Sequence, residues 1–144
     1  MGDITVTAAS VHLPNDNEVI KIRGIVGATI TPGQAVYLDG TSGWKPADAD
    51  ALASAQGRGI ALSDAFGSVS FAAGQSIDIV CVGRITGFAS MTPGGAVFGS
   101  VNAGKMDQAA PASAGDFKVA IGWAESASTI FVFPQITVPV VNPS

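Results

Sequence analysis

Charged residues are scarce in this sequence of 144 residues. Asp, Glu, Lys and Arg make up 12% of the chain, against about 25% in an ordinary soluble domain. The mean hydropathy is +0.41, yet no apolar run approaches the roughly 18 residues that a membrane-spanning helix needs. We therefore expect no membrane partner. We expect instead that apolar surface is covered in a homo-oligomer or on a larger assembly.

Basic residues are too few to form a nucleic-acid site. The net charge is −4 and the pI is near 4.6, whereas binding to phosphates requires a basic face. The start of the chain, Met1-Gly2-Asp3, has neither the basic region nor the apolar segment of a signal peptide. We expect no nucleic-acid partner and synthesis in a reducing cytoplasm, with later release by another route left open.

Residues that carry out catalysis or bind metals are also few. Cys81 is the single cysteine and lies in an apolar run, so we expect a buried, unreactive thiol. His12 is the single histidine, and Gly-x-Ser-x-Gly does not occur. The pair Asp48 and Asp50 lacks the Gly and closing Glu of a calcium loop. We predict no enzyme, no catalytic residues, no metal and no cofactor.

An enzyme on a small β fold is kept as a minor alternative. It would require carboxylates that are distant in sequence to converge in one pocket. The candidates are Asp39, Asp64, Asp78, Asp107 and Asp116.

A strand-turn-strand pattern occurs twice. Thr31–Leu38 (TPGQAVYL) returns as Thr92–Gly99 (TPGGAVFG), 61 residues later. Pro-Gly suits the centre of a type II turn, and the Ala-Val-aromatic run that follows favours a strand. At the same offset Trp44-Lys45 falls opposite Lys105-Met106, and Ile60-Ala61-Leu62 opposite Ile121-Gly122-Trp123. After a deletion, Ser76–Val80 matches Ser128–Val132. We predict one supersecondary unit used twice.

The chain is rich in turn residues and short of helical patterns. It has 18 Gly and 8 Pro, and short β-branched runs between turns indicate an all-β fold. We predict at most one short helix, near 47–55, and a central strand from Ile77 to Ile85 because both of its faces are apolar. The predicted organisation is an arm or edge strand at 1–18, one β domain at 19–133 with repeat units near 31–85 and 92–133, and an extended tail at 134–144.

The two ends are apolar although they lie outside the repeats. Disordered tails are polar and charged, so we expect at least one end to dock on a neighbouring protomer or another protein, as an edge strand or a strap. The interface candidates are Ile4, Val6, Ile136, Val138, Val140 and Val141.

The combination of motifs resembles the small capsid decoration, or cement, proteins of tailed bacteriophages. The resemblance covers about 19–133 and lies in the Thr-Pro-Gly-x-Ala-Val turns, the Gly43–Pro46 hairpin, Gly83-Arg84-Ile85 and Ala120–Ala124. It implies a barrel-like or tulip-like β body that binds as a homotrimer to the major capsid protein on the outside of a head shell. The expected location is the virion surface, after synthesis in the host cytoplasm.

A receptor- or glycan-binding module of a head fibre or tail is the alternative function. Sugar sites present exposed aromatic rings with polar partners, and the candidates are Tyr37, Trp44 and Trp123. All three lie in apolar, strand-like settings, so we expect them to pack in the core.

Overall fold

A computed structural model describes residues 2–15, 18–64, 66–136 and 139–143. It confirms an all-β fold with a strongly curled, half-barrel sheet. The predicted helix is the four-residue α1 (Leu52–Ala55), and a 3-10 turn covers Ala8–Ser10. The strands are β1 (Thr5–Val6), β2 (Ile20–Ile25), β3 (Ala35–Asp39), β4 (Gly43–Pro46), β5 (Gly59–Ala61), β6 (Ser76–Thr86), β7 (Phe88–Ala89), β8 (Ala96–Gly99), β9 (Met106–Asp107), β10 (Phe117–Lys118), β11 (Ala120–Ala124), β12 (Thr129–Val132) and β13 (Val140–Val141).

The large sheet consists of two halves with the same internal order. Its strands follow one another as β4-β3-β5-β6-β12-β11-β8-β9, and β2 pairs with β6 beside this path. From one edge inward the order is the hairpin β4-β3, then β5 and β6. From the other edge it is the hairpin β9-β8, then β11 and β12. The two halves meet where β6 pairs with β12. The predicted duplication is therefore present as two equivalent four-stranded units.

The two Thr-Pro-Gly turns occupy equivalent positions. The Gly33 amide donates to the Ala61 carbonyl at 2.8 Å, and the Gly94 amide donates to the Ala124 carbonyl at 2.7 Å. Both glycines have positive φ, 90° and 84°, as the third position of a type II turn requires. The turns thus anchor the first strand of each unit against the third.

The alignment after the first strand is corrected by the strand pairing. Trp44 pairs with Leu38 in the first unit, and Met106 pairs with Gly99 in the second. The counterpart of Trp44 is therefore Met106 and not Lys105. The second hairpin turn is one residue longer, which explains this shift.

A β-bulge produces the later shifts. The register of β8 and β11 changes between Ala120 and Gly122, and an extra residue in one strand displaces everything that follows it. Trp123 is therefore the counterpart of Ile60, and Phe131 that of Val80. A one-residue error in a strand reverses the face on which a side chain lies.

β6 is the central strand of the fold, as predicted. It pairs with β2 along one edge and with β5 and β12 elsewhere. Alternate residues enter two hydrophobic clusters: Ile79 packs with Trp44, while Val80 packs with Ile130 and the second unit. One strand thus contributes to both parts of the core.

Cys81 is half-buried, which corrects the predicted full burial. Ile20 lies opposite Val82 and Lys21 opposite Val80, so Cys81 sits unopposed at a bulge in β6. Its partial burial raises the pKa of the thiol.

Both ends of the chain dock on the chain's own body. β1 pairs with β7, and the Ile4 amide donates to the Met106 carbonyl at 2.7 Å. β13 pairs with β10, and the Asn142 amide donates to the Asp116 carbonyl at 2.8 Å. The arm and the tail are thereby parts of the folded unit.

Replacing Gly33 by Ala should release the arm. A Cβ at Gly33 would lie 2.4 Å from Cγ2 of Val6, whereas a Cβ at Gly94 would meet nothing within 4 Å. Both substitutions carry the penalty of a left-handed backbone, about 1–2 kcal/mol. We expect amide exchange near Thr5–Val6 to rise in Gly33→Ala alone. Equal protection of the arm in Gly33→Ala and Gly94→Ala would contradict the docking.

Candidate binding surface

A row of side chains that includes two aromatic rings crosses the second unit. Ala96, Trp123, Phe131 and Arg84 lie directly opposite one another on β8, β11, β12 and β6. Residues paired in this way lie on one face of a sheet. Their chain neighbours Val97, Ala124 and Ile130 are fully buried on the other face, so this row faces outward.

Aromatic rings dominate this surface. Trp123 and Phe131 are stacked, with ring centroids 5.7 Å apart and an interplanar angle of 25°. Phe133 continues the alternation of β12, because its amide donates to the Ile121 carbonyl at 2.9 Å. Trp123 is 42% exposed and Phe133 66%. We call Trp123, Phe131 and Phe133 the aromatic face.

The equivalent row in the first unit is covered by the chain itself. Ala35, Ile60 and Val80 are the counterparts of Ala96, Trp123 and Phe131, and all three are fully buried. They belong to the same hydrophobic cluster as Ile130 on the inner side of the second unit. The same face of the sheet is therefore buried in the core in the first unit and faces solvent in the second.

Charges border the aromatic face on the β6 side. The Arg84 Nε donates to both carboxylate oxygens of Glu125, at 2.8 and 2.7 Å, and a guanidinium NH group donates to Glu18. These interactions, led by the bond to Glu125, raise the pKa of Arg84. The guanidinium is therefore held in place beside Phe131.

The N-terminal interface candidates point toward the chain's own core. Ile4 and Val6 are half-buried against the larger hydrophobic cluster. Their alternation serves β1, whose partner β7 belongs to the same chain. The arm does form an edge strand, but its apolar side chains are used within the protomer.

The C-terminal candidates remain on the surface. Ile136 is 80% exposed, Val140 59% and Val141 50%, although β13 pairs with β10. Val138 lies outside the described residues. Backbone pairing thus fixes the end of the tail without covering its valines.

The aromatic candidates for sugar binding separate into different environments. Trp44 is buried and Tyr37 packs against the core, as expected. Trp123 does not pack in the core, which corrects the prediction. In its strand apolar residues occur on both faces, so the pattern alone did not indicate which face is buried.

Of the candidate carboxylates, Asp64 and Asp78 line one cleft and Asp107 and Asp116 line one groove, whereas Asp39 lines neither. Asp39 binds the Lys45 ammonium at 2.8 Å and the hydroxyl of Thr41 at 2.8 Å, and these bonds lower its pKa. Asp78 forms an ion pair with Arg23 at 2.9 Å. Within the described residues no group of three or more His, Cys, Asp or Glu side chains is placed to hold a metal ion.

The pair Asp48 and Asp50, which lacks the Gly and closing Glu of a calcium loop, forms a local turn. The Asp50 amide donates to the Asp48 carboxylate at 3.2 Å. Desolvation raises the pKa of Asp48, and nearby Asp50 and Asp116 add repulsion. This loop packs against β10, since the Phe117 amide donates to the Ala49 carbonyl at 2.8 Å.

The aromatic face was missed because its strand is apolar on both sides. Ile130 and Val132 alternate with Phe131 and Phe133. Both sets are apolar, so the alternation does not indicate which face of the strand is buried. The available signal was the duplication. With the correct register, Trp123 and Phe131 stand where the first unit has smaller Ile60 and Val80.

No family model matches the chain, and no curated protein matches it. In the part of the chain that the structure describes, no helix is long and apolar enough to cross a membrane.

The two tryptophans should differ in their effect on stability. Trp44→Ala should lower the free energy of unfolding by about 3–5 kcal/mol, because it empties a buried site. Trp123→Ala should lower it by only about 1 kcal/mol, chiefly through the lost ring stack. Urea unfolding of both variants measures the difference. A larger loss for Trp123→Ala than for Trp44→Ala would show that Trp123 is a core residue.

Proposed function

We propose that this protein is a capsid decoration protein that binds the outside of a phage head shell, as a trimer, through the aromatic face. The supporting observation is the exposed Trp123 stacked on the half-buried Phe131, whereas their counterparts Ile60 and Val80 are fully buried. A face that forms core in one repeat and is open in the other has the composition of a surface that a partner covers.

The aromatic face has the properties of a binding centre. Aromatic residues and Arg are enriched at energetically dominant interface positions, and here stacked rings lie beside an ordered guanidinium. The rings lie on paired strands of the large sheet, so little conformational entropy is lost when a partner binds. Attachment of a rigid body to a shell requires such a pre-organised surface.

Shell binding is tested with heads that lack the protein. Full-length protein should co-sediment with expanded heads at a saturable ratio. Phe133→Asp and Trp123→Asp should each weaken binding about tenfold or more, since a charge at a desolvated centre is costly. Leu52→Asp is the matched control, because Leu52 is 48% exposed on α1 and lies outside the aromatic face.

Two results would contradict the proposal. One is the absence of saturable binding by the unmodified chain. The other is equal binding by Phe133→Asp and Leu52→Asp, which would place the shell contact elsewhere.

Glycan binding is the second candidate function. It is favoured by one observation, the half-exposed Trp123 with Arg84 and Glu125 beside its stacking partner. A glycan array with the full chain should then give hits that Trp123→Ala abolishes. An array without hits would leave shell binding as the function that the surface supports.

A further inference from the structure

A loop is inserted in the first unit at the connection between β5 and β6. The second unit joins β11 to β12 through residues 125–128, whereas the first uses 62–75. Phe66 in this loop is 93% exposed, more than any other large apolar side chain in the described residues. An inserted loop that displays an aromatic ring is a candidate contact site.

The loop around Phe66 is held by its own hydrogen bonds. The Asp64 carboxylate accepts from the Phe66 amide at 3.0 Å, the Ser68 amide at 2.9 Å and the Ser68 hydroxyl at 2.6 Å. These bonds, led by the Ser68 hydroxyl, lower the pKa of Asp64. Asp64 thereby fixes the backbone amides of Phe66 and Ser68.

Phe66 lies at the edge of a cleft that contains two cations. Lys21, Arg23 and His12 line this cleft together with Phe66 and Asp78. Asp78 pairs with Arg23 at 2.9 Å and with Lys21 at 3.9 Å, yet the Arg23 side chain remains 68% exposed. Asp64 also lines the cleft and keeps its charge, because its donors are neutral, so two carboxylates face the two cations. Among Lys21, Arg23 and Asp78, Arg23 is the most exposed.

The second unit carries a groove of opposite character. It is an open groove of about 300 Å³ in which Asp107 and Asp116 are the charged lining residues. The other lining residues are Ser100, Val101 and residues 109–113. A cavity of about 150 Å³ is enough for a benzene ring. The groove therefore has the volume of one aromatic side chain, and two carboxylates are its charged lining residues.

The C-terminal tail shapes this groove. Nδ2 of Asn142 donates to the carbonyls of Pro111 at 2.5 Å and Ser113 at 3.1 Å, and Asn142 is buried. Asn142 thus fixes the backbone of the groove at Pro111 and Ser113.

We propose that copies of this chain associate head to tail, with Phe66 of one copy seated in the 100–116 groove of the next. Arg23 and Lys21 then approach Asp107 and Asp116 of that groove. Attraction between the exposed Arg23 and the two carboxylates of the groove favours this occupant, whereas groove against groove would oppose carboxylates. The inference rests on the proposed trimer for the number of copies, because a head-to-tail contact forms a ring where its rotation closes.

The first test changes each surface separately. Phe66→Ala and Ala112→Trp, which fills the groove from an exposed position, should each weaken self-association about tenfold or more in sedimentation velocity. Val69→Ala is the matched control, since Val69 lies in the same loop and is 53% exposed. Association unchanged in Phe66→Ala, or an unmodified chain that is monomeric both in solution and when cross-linked on shells, would overturn the proposal.

The second test mixes the two defective variants. A head-to-tail contact allows Phe66 of the Ala112→Trp chain to enter the intact groove of the Phe66→Ala chain. The mixture should form dimers while each variant alone stays monomeric. A mixture that stays monomeric would show that the two surfaces do not meet.

The third test exchanges charges. Arg23→Glu and Asp116→Arg should each weaken association, and the double variant should regain part of it. A double variant no better than the weaker single variant would contradict the pairing. Circular dichroism of each chain establishes that it is folded.

Shell binding is measured separately on the same proteins. Loss of self-association in Phe66→Ala with retained, weaker shell binding supports both proposals. Self-association through Phe66 without any shell binding supports the contact between copies and refutes the proposed function. Weaker shell binding with unchanged self-association would assign Phe66 to the shell and overturn the inference.

Discussion

The packing of the first unit on the second is the contact on which the fold depends. Ile60 and Val80 on one face of the first unit share a cluster with Ala124 and Ile130 on the opposite face of the second. β6 joins the two units because it pairs with both β5 and β12. Each unit alone would leave a hydrophobic face in water, so neither is expected to be stable without the other.

Each unit has a second face that does not take part in the packing of the two units. These two faces differ in how far they are buried. The outer face of the first unit, with Val36, Ala61 and Ile79, packs against Val26, Ile30 and Phe71 in the second hydrophobic cluster. The free face of the second unit is the aromatic face, and it is not covered by the described residues. The two equivalent surfaces thus differ in exposure, and this difference is the basis of the proposed partner surface.

The sequence predicted those features that depend on local chemistry. Pro-Gly at both turns, apolar residues on both sides of β6 and the lack of helical periodicity each indicate one structure. Register could not be predicted, because it depends on a bulge near Gly122 and on one extra residue in a turn. A slip of one residue exchanges the two faces of a strand. Trp123 was assigned to the core because its strand is apolar on both faces, so composition alone did not show which face is buried.

The ends of the chain illustrate a second limit of sequence reasoning. Ile4 and Val6 have the alternation of an edge strand, and β1 is one, but the sequence does not specify whether the strand pairs within the chain or with another. In the tail, exposed Val140 and Val141 accompany a buried Asn142 whose amide holds the backbone of the groove. The apolar composition of the tail indicated the valines as its important residues. Instead, the polar Asn142 determines the shape of the neighbouring surface. A buried amide with two carbonyl partners fixes a loop more specifically than apolar contact does, because hydrogen bonds are directional and an unmade one costs about 1–3 kcal/mol.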